Sequence, residues 1–332
     1  MRGLSTQGLS TAVRRFGAAH EVVEVEAAGM PRPGTGEVVV RMDLSAVNPS
    51  DLVTIAGAYR TRTPLPFRPG YEGVGTVVAV GPGVEDLRPG SRVLPIGTPG
   101  SWATHKVAEA RWCFPVSDDI AREQAATMYV NPCTAWLMLH DRAAIRPGLQ
   151  VIVSAAASEI GVMLVRMLNR AGLAPVVTVR RPDSAARLAG LAVERVLVGT
   201  PADFAPDLAD VVRQGGADLV LDAVGGEVGL ALSTVVRPGG QFIHYGLLSG
   251  VPLPPETWQR TPGIRFEMFW LRNWIHRQPR AEIEALLRRV EALIRSGTVA
   301  SQIDSVFPLD EIGAALARVG SARRRGKVLL QP

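Results

Sequence analysis

The chain has 332 residues, 47% hydrophobic content and a formal net charge of +5, enough for two domains around a sizeable buried core. No stretch approaches the roughly 18 uninterrupted apolar residues of a membrane helix, and the opening residues lack the pattern of a signal peptide, so a cytoplasmic protein without membrane association is expected. The basic excess is almost all arginine and is spread along the chain, a sign of genome base composition rather than nucleic-acid binding, and two cysteines, Cys113 and Cys133, exclude a disulfide framework or a four-cysteine zinc lobe.

In chain order, the first third reads as short strands broken by Gly and Pro. Val38 to Arg41, Gly73 to Val80 and Arg92 to Pro95 are β-branched runs bounded by Pro31-Arg32-Pro33-Gly34, Gly81-Pro82-Gly83 and Arg88-Pro89-Gly90, which predicts a compact, mostly antiparallel β domain. From about Glu123, alanine-rich helical segments alternate with apolar strands at Val151 to Val153, Val176 to Val179, Asp218 to Leu221 and Gln241 to Tyr245. That alternation predicts a parallel sheet with helices on both faces. Strand character resumes near Gly263 to Phe269, a helix is expected from Arg280 to Ser296 with Ile283, Leu286, Leu287, Val290, Leu293 and Ile294 on one face, and Lys327 to Leu330 closes the chain. Arg323-Arg324-Arg325 reads either as a site for a phosphorylated small molecule or as a solvated basic turn.

The stretch from Val151 to Arg181 is the most informative. A strand, a small-residue turn from Ala155 to Gly161 and a helix closed by Ala171-Gly172 form the kind of unit that holds a dinucleotide pyrophosphate on unpaired helix N–H groups. Of the three glycines in a G-x-G-x-x-G turn, Gly161 alone is present in Ala155-Ala156-Ala157-Ser158-Glu159-Ile160-Gly161. Arg180 and Arg181 end the second strand, where a cation suits the 2′-phosphate of NADP and an acid would suit NAD. The plain alternative is a βαβ unit with surface arginines.

Asn48-Pro49-Ser50-Asp51, Pro69-Gly70-Tyr71-Glu72-Gly73-Val74-Gly75, Leu87-Arg88-Pro89-Gly90-Ser91-Arg92-Val93, Phe307-Pro308-Leu309-Asp310-Glu311 and Gly326-Lys327-Val328 resemble the medium-chain dehydrogenase/reductase superfamily nearly end to end. The resemblance implies a GroES-like catalytic domain at 1–125 and 268–332, a Rossmann dinucleotide-binding domain at 126–267, and a homodimer joined through Rossmann sheet edges. Zinc alcohol dehydrogenases of the superfamily have Cys in place of Pro49 and His in place of Tyr71. Neither replacement supplies a thiolate or imidazole for catalytic zinc, which implies a zinc-independent member.

Val130-Asn131-Pro132-Cys133-Thr134-Ala135 and Phe269-Trp270-Leu271-Arg272-Asn273-Trp274 resemble the trans-2-enoyl thioester reductases, which use NADPH to saturate enoyl-CoA or enoyl-acyl-carrier-protein. By that resemblance the catalytic tyrosine falls on Tyr59. The NADPH contacts fall on Asn131, on Ser158, Glu159, Ile160 and Gly161 of the turn, on Arg180 and Arg181, on Tyr245, on Phe269 and Trp270, and on Lys327. A quinone reductase branch shares the Gly-x-Tyr element. Hydride addition to an activated alkene leaves an enolate to be stabilised and protonated, tasks within reach of a phenol of ordinary pKa about 10. Plainer readings stand beside these: Tyr59 packing on Pro64 and Pro66, Asn131 as a helix N-cap with Pro132 first in the helix, and Trp270 with Trp274 as an i, i+4 pair. The histidines show no metal or triad spacing, and Ser154 and Ser158 lack a G-x-S-x-G context.

Glu159 departs from the enoyl reductases' Ser-Gly-Val-Gly turn by standing at its first glycine. A carboxylate there either turns to solvent or pairs with an arginine, leaving a working reductase, or it compromises the dinucleotide site and leaves redox-neutral chemistry or binding. The reading is an NADPH-dependent reductase of an activated carbon–carbon double bond in a small molecule or acyl thioester, with a quinone or enone reductase as the alternative.

Overall fold

The computed structural model describes residues 8–259 and 263–332. It divides into two units, Met1–Val130 with Arg272–Pro332, and Asn131–Leu271.

The first unit begins with strand β1 (Gly8–Val13), a single helical turn α1 (Ala19–Val22) and β2 (Val23–Ala28). β1 and β2 pair antiparallel as a small sheet of their own. The main sheet is built on β3 (Glu37–Ala46), whose alternating Val38, Val40 and Met42 enter a core with Val77, Val93 and Cys113. After helix α2 (Pro49–Ile55) come β4 (Gly73–Val80), β5 (Arg92–Pro95), β6 (His105–Glu109), β7 (Cys113–Pro115) and the short helix α3 (Arg122–Ala125).

The second unit is entered on helix α4 (Val130–Leu137), which runs into a π-helical turn at Met138–Arg142. It then alternates β8 (Val151–Val153), α5 (Glu159–Arg170), β9 (Val176–Val179), β10 (Arg195–Val198), α6 (Ala205–Arg213), β11 (Ala217–Asp222), α7 (Gly226–Ser233), β12 (Val236–His244), α8 (Glu256–Gln259) and β13 (Arg265–Met268). Every pairing is parallel, in the order β10-β9-β8-β11-β12-β13. The chain lays strands outward from β8 in one direction and then returns to lay β11 to β13 in the other. A switch point therefore lies between the carboxyl ends of β8 and β11, where such sheets bind ligands. Strands β8 and β9 are buried at every position, as a sheet covered on both faces requires.

Helix α9 (Leu271–Ile275) leads back to the first unit, which is completed by α10 (Arg280–Arg295), β14 (Ile303–Pro308), α11 (Ile312–Gly320) and β15 (Lys327–Gln331). Its seven-stranded sheet runs β14-β15-β3-β4-β5-β7 with β6 also on β3, and is antiparallel except for β14 with β15. Ile283, Leu286, Leu287 and Val290 form the buried face of α10. Arg323-Arg324-Arg325 forms the turn from α11 to β15, with Arg323 and Arg325 exposed.

Two expectations need correction. Asn131 and Pro132 are not the cap and first residue of their helix, because α4 already starts at Val130. Trp270 and Trp274 do not share a helical face at i, i+4 spacing, because α9 starts at Leu271 and Trp270 precedes it.

One buried amine in the first unit has no carboxylate partner among the described residues. The Lys106 side chain is only 3% exposed, and its ammonium donates to the carbonyl oxygens of Pro95 at 2.7 Å and Thr98 at 2.6 Å. Burial lowers its pKa from 10.5 to about 7. Between those values the unfolded chain binds the extra proton, so stability rises with pH across that window. Denaturant unfolding at pH 7 and pH 10 should show the wild type gaining ~1–3 kcal/mol relative to Lys106→Met over that interval. Parallel pH dependence of the two proteins would remove Lys106 as the source.

Candidate active site

The switch-point turn is drawn tight by strand β9. The N–H of Ala156 donates to the Thr178 carbonyl at 2.9 Å and that of Ala155 to the Thr178 hydroxyl at 3.2 Å. Ala155 has φ of 47°, a left-handed conformation in which a side chain is strained. Ser158 caps α5, its hydroxyl accepting the Gly161 N–H at 3.1 Å. A Cβ on Gly161 would stand 2.6 Å from the carbonyl oxygens of both Ala155 and Ala156, so glycine is required for the helix to sit this close to the turn.

Among the described residues the backbone N–H groups of Ala157 and Ile160 have no partner. Two open donors at the N-terminus of a twelve-residue helix fit an anion such as a dinucleotide pyrophosphate. Glu159 does not turn to solvent. Its carboxylate pairs with the Arg187 guanidinium, the two side chains being 9% and 22% exposed, and Arg187 also donates to the Ala157 carbonyl at 2.6 Å. Where β9 ends, Arg180 is exposed and makes no ion pair among the described residues, while Arg181 pairs with Asp183 at 3.1 Å.

Beside the turn lies a grouping that motif reading missed. Asp222, fully buried at the end of β11, accepts from the Ser154 hydroxyl at 2.8 Å and from the N–H groups of Val224 and Gly225 at 3.0 Å each. Its second oxygen is 2.8 Å from His244 Nδ1. The carboxylate stands between serine and histidine, so histidine is not placed to take the serine proton and the set is no hydrolytic triad. It ties the carboxyl ends of β8, β11 and β12 together. The signal available was an ionisable residue ending an apolar strand at Leu219-Val220-Leu221-Asp222. Tyr245 follows directly, its N–H donating to the Asp222 carbonyl at 2.9 Å, with a buried hydroxyl that has no partner among the described residues. Burial raises the Tyr245 pKa, and a neutral phenol without a partner is a group a bound ligand can satisfy. Phe269 is buried, with its N–H on the His244 carbonyl at 2.8 Å, and Trp270 is 36% exposed.

In the first unit Tyr59 is half-buried just beyond α2, with the Arg62 guanidinium 4.6 Å from its ring centroid. Tyr71 reaches the Thr54 hydroxyl at 3.3 Å. Thr54 spends its own proton on the Ser50 carbonyl at 2.8 Å, so Tyr71 is the donor of the pair. Burial raises the Tyr71 pKa, with the nearby Arg272 cation opposing. Pro49 begins α2 and offers no ligand atom, and no group of three or more His, Cys, Asp or Glu side chains suited to a metal occurs among the described residues.

Lys327 is 2% exposed and lies inward on β15, its ammonium on the Asn48 side-chain oxygen and 3.8 Å from Glu72. Glu72 in turn accepts from the Asn48 amide at 2.8 Å and from the N–H groups of Tyr129 and Val130 at 2.8 and 2.6 Å. Glu72 thus serves the start of α4 as the cap that Asn131 was expected to be.

The chain matches the family model described as alcohol dehydrogenase GroES-like domain over residues 34–118, and that described as zinc-binding dehydrogenase over residues 191–330. It is 30% identical over 337 residues to the human synaptic vesicle membrane protein VAT-1 homolog, covering 96% of this chain and 84% of that protein. It is 32% identical over 287 residues to rat mitochondrial enoyl-[acyl-carrier-protein] reductase, covering 84% and 77%. A solved structure from Bacillus thuringiensis, assigned as an NADPH:quinone reductase, shares 30% identity and a TM-score of 0.91 over 99% of this chain and 100% of that one. No helix among the described residues is long and apolar enough to cross a membrane.

With proline and tyrosine at the ligand positions, purified protein should contain substoichiometric zinc by elemental analysis, and its activity should survive a chelator. A stoichiometric metal whose removal abolishes activity would end that expectation.

Proposed function

We propose, on the premise that the chain belongs to the medium-chain dehydrogenase/reductase superfamily in its zinc-independent branch, that it is an NADPH-dependent reductase of an activated carbon–carbon double bond, with a 2-enoyl thioester as substrate. The observation that carries the cofactor part is the switch-point turn, with open N–H donors at Ala157 and Ile160 and two arginines at the end of β9. When bound, NADPH supplies the hydride that adds to the β-carbon of the alkene.

The chain's own residues have the remaining tasks. Ser158 and Gly161 shape the turn that holds the pyrophosphate, and Arg180 and Arg181 pair with the 2′-phosphate. Tyr245, Phe269 and Trp270 line the approach of the nicotinamide. Asn131 is a further contact for NADPH, and Lys327 contributes through Asn48 and Glu72, which its buried ammonium holds in place. Tyr59 hydrogen-bonds the developing enolate and delivers its phenolic proton to the α-carbon, and the Arg62 cation over its ring stabilises the phenolate that remains. The pairing of Glu159 with Arg187 supports a working dinucleotide site over a redox-neutral protein.

The enoyl thioester is favoured because an enoyl-[acyl-carrier-protein] reductase is among the relatives at 32% identity, and the acyl group would be carried by CoA or by a carrier protein. A quinone or enone substrate is the second reading, supported by the Bacillus thuringiensis structure. A cytoplasmic homodimer joined through a sheet edge belongs to the same proposal, the edge strands being β10 and β13.

Two measurements test this. Arginine contacts to phosphate contribute roughly 1.5–3 kcal/mol, so the wild type should prefer NADPH to NADH about tenfold or more, and Arg180→Ala should erase most of that preference. Equal affinity of the wild type for both cofactors would overturn the assignment. Tyr59→Phe keeps the ring but removes the proton donor, and should lower turnover of a 2-enoyl thioester ~10²–10⁴-fold while leaving thermal stability nearly unchanged. Unchanged turnover would make Tyr59 a packing residue.

A further inference from the structure

We infer that Arg187 is a positioning residue of the dinucleotide site, which keeps the Glu159 carboxylate from occupying the anion donors of its own turn; the inference rests on the NADPH reading above. Glu159 is the first residue of α5. Negative charge in the first turn of a helix is attracted to the unpaired N–H groups there, the same groups a pyrophosphate needs. A carboxylate on a flexible stem at this position would therefore compete with the dinucleotide for the donors of Ala157 and Ile160 and repel the phosphates besides.

Arg187 is placed to prevent both. One arm of its guanidinium holds the Glu159 carboxylate and the other donates to the Ala157 carbonyl at 2.6 Å, within the turn itself. With the Glu159 side chain 9% and the Arg187 side chain 22% exposed, the pair is less screened than an open surface pair. Arg187 lies in the 3-10 segment Pro182–Leu188, which follows directly on Arg180 and Arg181. The same contact thus ties the turn that receives the pyrophosphate to the segment that would receive the 2′-phosphate. The charge of Glu159 is spent on joining the two parts of the site.

The test is NADPH titration followed by nicotinamide fluorescence, with melting temperature measured on each protein. Arg187→Gln keeps an amide donor for the Ala157 carbonyl and much of the volume but removes the charge, and Arg187→Ala removes both. Each should weaken NADPH binding roughly 30- to 100-fold. Adding Glu159→Gln to either should bring affinity back to within about threefold of wild type, because the carboxylate that competes is gone. A bracket with a structural role alone would predict the opposite, since the double variants lack the bracket too. Wild-type affinity in both Arg187 variants, or double variants as weak as the singles, overturns the inference while leaving NADPH binding in place. Absence of NADPH binding by the wild type overturns the cofactor reading and the inference with it.

Discussion

The Glu72 carboxylate, sealed at 1% exposure, is the point on which the first unit depends. A buried carboxylate is costly unless its oxygens are filled. Here one oxygen takes the N–H groups of Tyr129 and Val130, and the other takes the Asn48 amide with Lys327 nearby. Three stretches remote in sequence converge on it at the entry to β4: the start of α2, the start of α4 and the last strand. Because Lys327 also needs Asn48 to be satisfied, no member can be removed without orphaning another. The start of α2 is held further by Asp51, which is buried and accepts from the N–H groups of Asn48, Gly70 and Tyr71. The loop bearing Tyr71 is therefore positioned by the same polar knot.

The second unit solves the same problem around Asp222, which is filled by a serine hydroxyl, two backbone N–H groups and a histidine. Both networks lie at strand ends, one binding three parallel strands at the switch point and the other closing an antiparallel sheet on its last strand. The turn beside Asp222 is different in kind, because some of its donors are left open and its one carboxylate is drawn aside by Arg187. Saturated polar groups make the frame rigid, and beside the turn the N–H groups of Ala157 and Ile160 and the Tyr245 hydroxyl, which lack a partner among the described residues, mark where a ligand can add bonds.

Much of the frame was legible because it rests on local signals. The strands Gly73–Val80, Arg92–Pro95, Val151–Val153 and Val176–Val179 occur with the bounds their β-branched runs predict, and the apolar face of α10 is buried at Ile283, Leu286, Leu287 and Val290. What escaped depends on distant partners. β1 carries buried Ser10 and Thr11, polar residues that give no apolar alternation, and Thr11 is satisfied by the Trp102 carbonyl 91 residues away. Ser154, Asp222 and His244 lie on three strands and meet because those strands are neighbours. Glu159 could be recognised as anomalous, but its partner lies 28 residues on, beyond a strand, and periodicity does not point to it.

The segment that holds a metal in zinc dehydrogenases is here given over to hydrogen bonds. Asn48 and Pro49 start a helix, Asp51 accepts the Asn48 N–H, and the Tyr71 hydroxyl hydrogen-bonds that of Thr54, leaving neither thiolate nor imidazole. Residues of this kind supply no thiolate or imidazole ligand for a zinc ion that would hold an alkoxide. A conjugated alkene makes a smaller demand, because the enolate formed on reduction spreads its charge over the carbonyl and needs hydrogen-bond donors and one proton. On the proposed function, Tyr59 with the Arg62 guanidinium over its ring is a group of that kind. In that proposal the lack of metal ligands at Pro49 and Tyr71 goes with an activated double bond as substrate, the Tyr59 phenol beside a guanidinium taking the charge that zinc would otherwise hold.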